Sequence, residues 1–322
     1  MHAIQIQEAG GPEVLQWTEV DDPVAGEDQV VVELAAAGLN YIDTYHRGGL
    51  YPMPMPLIPG VEGAGTITEL GAGVEGFAVG DQVAWTGNIG SYAEKVAVNA
   101  AGAVKLPDGV DPQLAAATML QGMTAHYLAC STWPLEPGQR CLIHAGAGGT
   151  GRVLIQIAKI RGAEVFTTVG TEEKADLARS AGADHVIMYR DVDFGDAVER
   201  IAGPKSLDVV YDGVGKDTFD RGLELLRPRG MMVTFGNASG PVDPVLPLRL
   251  SQGGSLFLTR PSLFDYISTR DDLEWRAGEL FGWIADGRLE IMVGDHIPLS
   301  EARRAHEAIE GRATTGKVLL VP

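Results

Sequence analysis

The sequence predicts an α/β protein of two domains, a β-rich, barrel-like N-terminal part followed by a doubly wound parallel sheet. Three observations predict it. At 322 residues the chain exceeds what one hydrophobic core usually organises. From Arg140 to about Thr259, β-type apolar runs alternate with helical patterns of roughly ten to fifteen residues, the signature of βαβ units. A glycine-rich turn, His144-Ala145-Gly146-Ala147-Gly148-Gly149-Thr150-Gly151, follows the first of those runs and opens the first helical pattern.

From Met1 to about Leu120, short apolar runs are divided by Gly, Pro and Asp. Residues 29–34 and 64–70 read as strands, punctuated by Gly71-Ala72-Gly73 and Val79-Gly80-Asp81. The character changes near Gln121. Residues 140–145 read as a strand, and 150–161 as a helix with Val153, Leu154, Ile157 and Ala158 on one stripe. A second strand spans 164–169, then a helix 172–180 closed by Gly182. Strands at 185–189, 207–211, 231–235 and 255–258 bring the count to six, the number a dinucleotide-binding sheet requires. Beyond Pro261 come helical patterns at 271–286 and 300–309 and a last strand at 317–321.

Within the turn, Gly146 serves the tight bend, Gly148 lets the backbone approach a pyrophosphate, and Gly151 allows close helix–sheet packing. Amides at the helix start, with the helix dipole, then hold the anion, which places Gly149 and Thr150 on it as well. NAD-binding proteins carry an acid about 20 residues on, at the tip of the second strand. Here that strand ends Thr167-Thr168-Val169-Gly170-Thr171, without an acid, while Lys174 follows and Tyr189-Arg190 ends the neighbouring strand. A lysine, a tyrosine hydroxyl and an arginine around a glycine-opened space suit the extra phosphate of NADP, so NADPH is the expected cofactor. Glu172 and Glu173 add negative charge nearby, and read best as first-turn acids favoured by the helix dipole.

Lys+Arg of 25 against Asp+Glu of 43 gives a net charge of −18. That charge repels nucleic acid and anionic membranes, so an anionic cofactor requires a local basic pocket. Residues 1–8 lack the basic and apolar run of a secretory signal, and no apolar stretch nears the roughly 20 residues that span a bilayer, so a cytoplasmic location is expected. The two cysteines, Cys130 and Cys141, are too few for a disulfide framework and read as small buried hydrophobes.

Taken with Gly10-Gly11-Pro12-Glu13-Val14-Leu15, residues 38–45 (GLNYIDTY), Pro59-Gly60-Val61-Glu62-Gly63-Ala64-Gly65, residues 120–125 and Phe235-Gly236-Asn237-Ala238-Ser239-Gly240, the turn resembles the quinone oxidoreductases, including zeta-crystallin, of the medium-chain dehydrogenase/reductase superfamily. The resemblance runs through Gly316 and implies a Rossmann domain at 121–261. It also implies a GroES-like catalytic domain at 1–120, completed by 262–322. By the same resemblance Asn40, Tyr45, Tyr51 and Thr124 would serve catalysis, and Tyr41, Ile42, Asp43 and Thr44 would lie near the nicotinamide. Gly170, Thr171, Lys174 and Tyr189 would surround the adenosine phosphate, and Val214, Gly236, Asn237, Phe257, Thr259 and Arg312 would line the rest of the cofactor cleft.

Zinc alcohol dehydrogenases of that superfamily carry Cys and His ligands and a four-cysteine lobe. This chain has Asn40 near the first ligand, Val61 in place of the His, and no such lobe, so no tetrahedral zinc site can be assembled from these types. Without a Lewis acid the acceptor must be intrinsically reactive, as a small quinone is. Reduction of an activated C=C bond in an enal or enone is the alternative reaction, with a tyrosine as proton donor. An RNA-binding or structural, crystallin-like role is the alternative of another class, and the charge opposes RNA. Residues 241–248 before the last sheet strand would form either a homodimer contact or a covering loop.

Overall fold

The computed structural model describes every residue except 312. Two compact units emerge, one of residues 1–123, 267–286 and 291–322, the other of 124–266 and 287–290.

The first unit opens with β1 (His2–Gln5), β2 (Gln16–Glu19) and β3 (Gln29–Gly38), then α1 (Tyr41–Gly48) and β4 (Glu62–Leu70). β5 (Gln82–Thr86), β6 (Lys95–Asn99), β7 (Ala103–Lys105) and α2 (Pro112–Tyr127) follow. β3 is longer than the sequence pattern suggests, because Ala35-Ala36-Ala37-Gly38 continues it inward to meet β4. Small side chains are needed there: a Cβ on Gly65 would lie 2.0 Å from the Glu33 carbonyl across the β3–β4 pair.

The second unit carries β8 (Arg140–Ile143), α3 (Gly149–Ile160), β9 (Glu164–Val169), α4 (Glu172–Ser180), β10 (His185–Met188) and α5 (Phe194–Ala202). It continues with β11 (Leu207–Asp212), α6 (Phe219–Leu225), β12 (Leu226–Thr234), α7 (Pro247–Gly254), β13 (Phe257–Thr259) and α8 (Leu263–Tyr266). Among the described residues its sheet has six strands, all parallel, in the order β10-β9-β8-β11-β12-β13. This is the expected doubly wound arrangement, with the chain reversing direction of growth between β8 and β11. Phe166, Val210, Met232, Phe219 and Leu142 fill the layer between sheet and helices. Three boundaries differ from the sequence reading, the first being that β12 begins at Leu226 and not at 231. α7 occupies residues read as loop or edge contact, entered at its first residue by Pro247, and left-handed Ser255 (φ 56°) ends it, so the last strand starts at Phe257.

The chain returns to the first unit through α9 (Arg270–Ala285), β14 (Val293–Pro298), α10 (Ala302–Glu310) and β15 (Lys317–Val321). Its main sheet runs β14-β15-β3-β4-β5-β7, with β6 also paired to β3, and every pairing is antiparallel except β14–β15. Val30, Val32, Ile67, Trp85, Val98 and Leu320 form its core.

Candidate functional site

In the second unit the glycine turn lies at the carboxyl end of β8, beside the point where the sheet reverses. Ala145 is held in the left-handed region (φ 56°), which swings the chain out of the strand. A Cβ on Gly146 would meet Thr167 Oγ1 at 2.0 Å, and one on Gly151 would meet the Ala145 carbonyl at 2.3 Å, so both glycines are required by packing. A Cβ on Gly148 would approach only the Ala145 carbonyl, at 3.2 Å. Gly148 is thus the least crowded of the three turn glycines. The N–H of Gly148 bonds Ala145 O and that of Arg152 bonds Gly148 O. The N–H groups of Gly149, Thr150 and Gly151, in the first turn of α3, have no acceptor within the helix.

At the tip of β9, register pairs Met188 with Val169 and so brings the next residue, Tyr189, beside Gly170. A Cβ on Gly170 would lie 2.6 Å from Tyr189 Oη and 3.4 Å from Arg190 Nε. Thr171 caps α4 through its hydroxyl, which accepts from Lys174 N at 3.3 Å, and Lys174 thereby sits in the first turn next to Gly170. Glu172, the charge that counted against an anion here, is turned to Arg179, whose Nη1 donates to it at 2.7 Å. Tyr189 and Arg190 thus stand beside Gly170 at the carboxyl edge of the sheet, with Lys174 in the first turn of α4.

Val214 lies in the loop after β11, Gly236 and Asn237 after β12, and Thr259 ends β13, so all four share the carboxyl edge of the sheet. Phe257 opens β13 opposite Met231, two residues behind that edge, and is 53% exposed. Thr124 is buried in α2, and Arg312 lies outside the described residues. Two edge residues escaped the sequence reading. Asp212 Oδ1 accepts from Val214 N, Gly215 N and Thr218 Oγ1 and shapes the loop that carries Val214. Arg260 Nη1 donates to Gly236 O at 3.0 Å and fixes the turn after β12. An acid or a base directly at a strand tip was the available signal for both. His144 is buried, with Nδ1 3.0 Å from Thr168 Oγ1, and burial pushes it below the usual histidine range, so it stays neutral.

In the first unit, α1 presents Tyr41, Ile42 and Tyr45 half-buried while Asn40, Asp43, Thr44, His46 and Arg47 turn inward. The rings of Tyr41 and Tyr45 meet edge to face at 5.5 Å, and Tyr45 meets Tyr51 in the same way at 5.3 Å, giving a continuous aromatic row. Three of the expected site residues are engaged internally. Asn40 has no amide hydrogen to offer a substrate, because Nδ2 donates to Gly38 O at 3.0 Å and to Glu62 Oε2 at 2.8 Å. Its Oδ1 accepts from Lys317 Nζ at 2.7 Å. Asp43 is fully buried, with Oδ2 accepting from Asn40 N and from Tyr92 Oη, so it is an internal acceptor and not a cofactor contact. The Thr44 hydroxyl is committed to Tyr41 O at 2.7 Å. Sequence reading missed Glu62 and Lys317, whose buried ion pair Asn40 completes. An acid between Val61 and Gly63 inside an otherwise uncharged strand start was the only hint.

A family model described as an alcohol dehydrogenase GroES-like domain matches residues 26–108, and one described as a zinc-binding dehydrogenase matches residues 149–280. A quinone oxidoreductase of Salmonella typhimurium is 45% identical over 323 residues, covering 99% of both chains. A 2-haloacrylate reductase of Burkholderia is 41% identical, covering 99% of this chain and 98% of the relative. The solved structure of Escherichia coli quinone oxidoreductase complexed with NADPH superposes with a TM-score of 0.97 at 43% identity, covering all of both chains.

Proposed function

The chain belongs to the quinone oxidoreductase family of the medium-chain dehydrogenases/reductases, and from that premise we infer that it is a zinc-independent NADPH:quinone reductase acting on small quinones. The observation that carries the cofactor is the acid-free tip of β9, where the absence of a Cβ on Gly170 lets Tyr189 Oη and Arg190 Nε stand against the backbone. Bound NADPH supplies a hydride. Gly149, Thr150 and Gly151 would hold its pyrophosphate through their N–H groups, and Gly170, Thr171, Lys174 and Tyr189 its adenosine phosphate. Val214, Gly236, Asn237, Phe257 and Thr259 would line its remaining length. We assign the division of labour to a GroES-like acceptor domain, residues 1–120 with 262–322, and a Rossmann domain, residues 121–261.

On the acceptor side, Tyr41, Tyr45 and Tyr51 would provide an aromatic surface that excludes water and hydroxyls that orient a carbonyl oxygen. A planar, intrinsically reactive acceptor is what such an aromatic surface suits. The first unit contains no cysteine at all, both being in the second, and Val61 is buried where a ligand would be needed. Metal analysis of the enzyme prepared in metal-free buffer should therefore find far less than one zinc per chain; stoichiometric bound zinc would refute the zinc-independent reading.

The 2-haloacrylate reductase among the relatives favours a second reading, reduction of an activated C=C bond. NADPH oxidation followed side by side with benzoquinone-type and enal- or acrylate-type acceptors separates the two, and absence of quinone turnover would defeat the first. A homodimer is proposed from the outer edge of the second unit's sheet. There Leu246, just before α7, and Leu248, in its first turn, are 73% and 65% exposed, and the helix buries none of its own residues. Leu246→Glu should then convert a dimer to a monomer in light scattering. Among the described residues no helix is long and apolar enough to cross a membrane, and a cytoplasmic location is proposed with it.

A further inference from the structure

Arg47, His306, Tyr92 and Asp43 form a line of hydrogen bonds through the interior of the first unit. Arg47 Nη1 lies 3.0 Å from His306 Nδ1, His306 Nε2 lies 3.2 Å from Tyr92 Oη, and Tyr92 Oη lies 3.0 Å from Asp43 Oδ2. Arginine only donates, so His306 Nδ1 accepts and the ring hydrogen sits on Nε2. Nε2–H therefore donates to Tyr92 Oη, which leaves the tyrosine's single hydrogen for Asp43. Every bond in the line points at one carboxyl. Asn40 N–H donates to the same oxygen at 2.8 Å, whereas Oδ1, also buried, has no hydrogen-bond partner.

The line does not conduct protons. Its outer end is Arg47, held by Glu310 at 2.6 and 3.1 Å and by Gly10 O at 3.1 Å, and a guanidinium does not deprotonate in a protein. What remains is mechanical. Asp43 is the third residue of α1, and its carboxylate ties back to the residue that starts the helix, between Tyr41 and Tyr45 of the aromatic row.

We propose that Tyr92 and His306 are positioning residues for the acceptor: through Asp43 they hold the first turn of α1, and with it the spacing of Tyr41, Tyr45 and Tyr51, under control of a single buried carboxyl. The inference rests on the assignment of those tyrosines to the acceptor.

The charges that face Asp43 decide when the hold changes. Burial is the largest influence and pushes its carboxyl up to about 7; Glu62 on β4 adds to this, while Asn40 N–H, the Tyr92 hydroxyl and Lys317 on β15 oppose it. Arg47 and His46 lie on α1 itself, and His306 and Glu310 on α10. His306 does not titrate in the same range, because burial and the Arg47 charge push it down to about 3. Below pH 7 the proton goes to Oδ1, since Oδ2 already accepts twice, and the bonds from Asn40 and Tyr92 lose their charge assistance. Above it they are charge-assisted, and the negative charge also favours the helix N-terminus.

Steady-state kinetics with a benzoquinone acceptor between about pH 5.5 and 9, together with NADPH affinity by fluorescence, test this. Acceptor KM in the wild type should change with an inflection near pH 7, while NADPH affinity shows none there. Tyr92→Phe should raise acceptor KM about three- to tenfold with kcat within about twofold, and move the inflection up. Asp43→Asn should abolish the inflection. His306→Gln places an amide oxygen and nitrogen where Nδ1 and Nε2 were and should keep the wild-type profile, whereas His306→Leu should behave as Tyr92→Phe does. Folded Tyr92→Phe and Asp43→Asn enzymes that both retain the wild-type KM and inflection would overturn the inference. Tyr45→Ala separates the two levels. If it leaves acceptor KM unchanged, the tyrosine assignment falls and this inference with it; if it raises KM while the Tyr92 and Asp43 variants do not, only the positioning role falls.

Discussion

Lys317 and Glu62 face each other as an ion pair with side-chain exposures of 1% and 0%, joining the first residue of β15 to the first residue of β4. Asn40, donating to Glu62 and accepting from Lys317, ties the N-terminus of α1 to both. A buried pair of this kind stabilises little relative to an apolar replacement, yet removing one partner strands a charge.

Lys317→Met is therefore expected to cost about 3–5 kcal/mol in urea unfolding, because the Glu62 carboxylate is left buried and unpaired. The double variant Lys317→Met/Glu62→Gln should lose clearly less than the single one. Equal losses would mean that the pair's charge is not what matters.

Asp43 and His306 give stability opposite pH slopes. The folded value of Asp43, about 7, lies above the ordinary aspartate value of 3.8, so the native state binds the extra proton and stability falls as pH rises through that interval. His306 is depressed from 6.5 to about 3, so the unfolded state binds the proton and stability falls as pH drops through that window. Asp43→Asn removes only the first slope. Its melting temperature relative to wild type should improve on going from pH 5 to pH 8, and a constant offset would contradict the assignment.

The three turn glycines should separate folding from binding. Gly148→Ala meets nothing closer than 3.2 Å and is expected to fold normally while NADPH affinity drops by about tenfold or more, since the methyl enters the pyrophosphate space. Gly151→Ala drives a methyl to within 2.3 Å of a backbone carbonyl and should lower the melting temperature of the cofactor-free protein as well. Calorimetric titration beside thermal melts distinguishes the two patterns.

Lys174→Ala should weaken NADPH by about tenfold and NADH by less than about twofold, because only the former carries the extra phosphate. Gly170→Val should reproduce that selectivity loss by displacing Tyr189, whose hydroxyl stands 2.6 Å from the new Cβ. Equal effects on both cofactors would remove these residues from the phosphate site.

The nucleotide half was largely legible in the sequence because its devices are local. A strand, a glycine turn and a helix start lie within a dozen or so consecutive residues, and the absence of an acid at the tip of β9 is visible without knowing what packs where. α7 was not legible, since residues 241–248 offer prolines and exposed leucines that fit a loop as well as a helix entered at Pro247. Asn40 and Asp43 were read as site residues from their place in a motif, and burial turned both away from it. Sequence by itself thus determined the fold class, the glycine-rich turn between β8 and α3 and the family, since each depends on residue type and short spacing. Tertiary structure alone decided that Asn40 serves Lys317 from 277 positions away and that His306 reaches Arg47 across 259, because which polar atoms lose water, and so must find one another, is fixed only when distant strands and helices close over them.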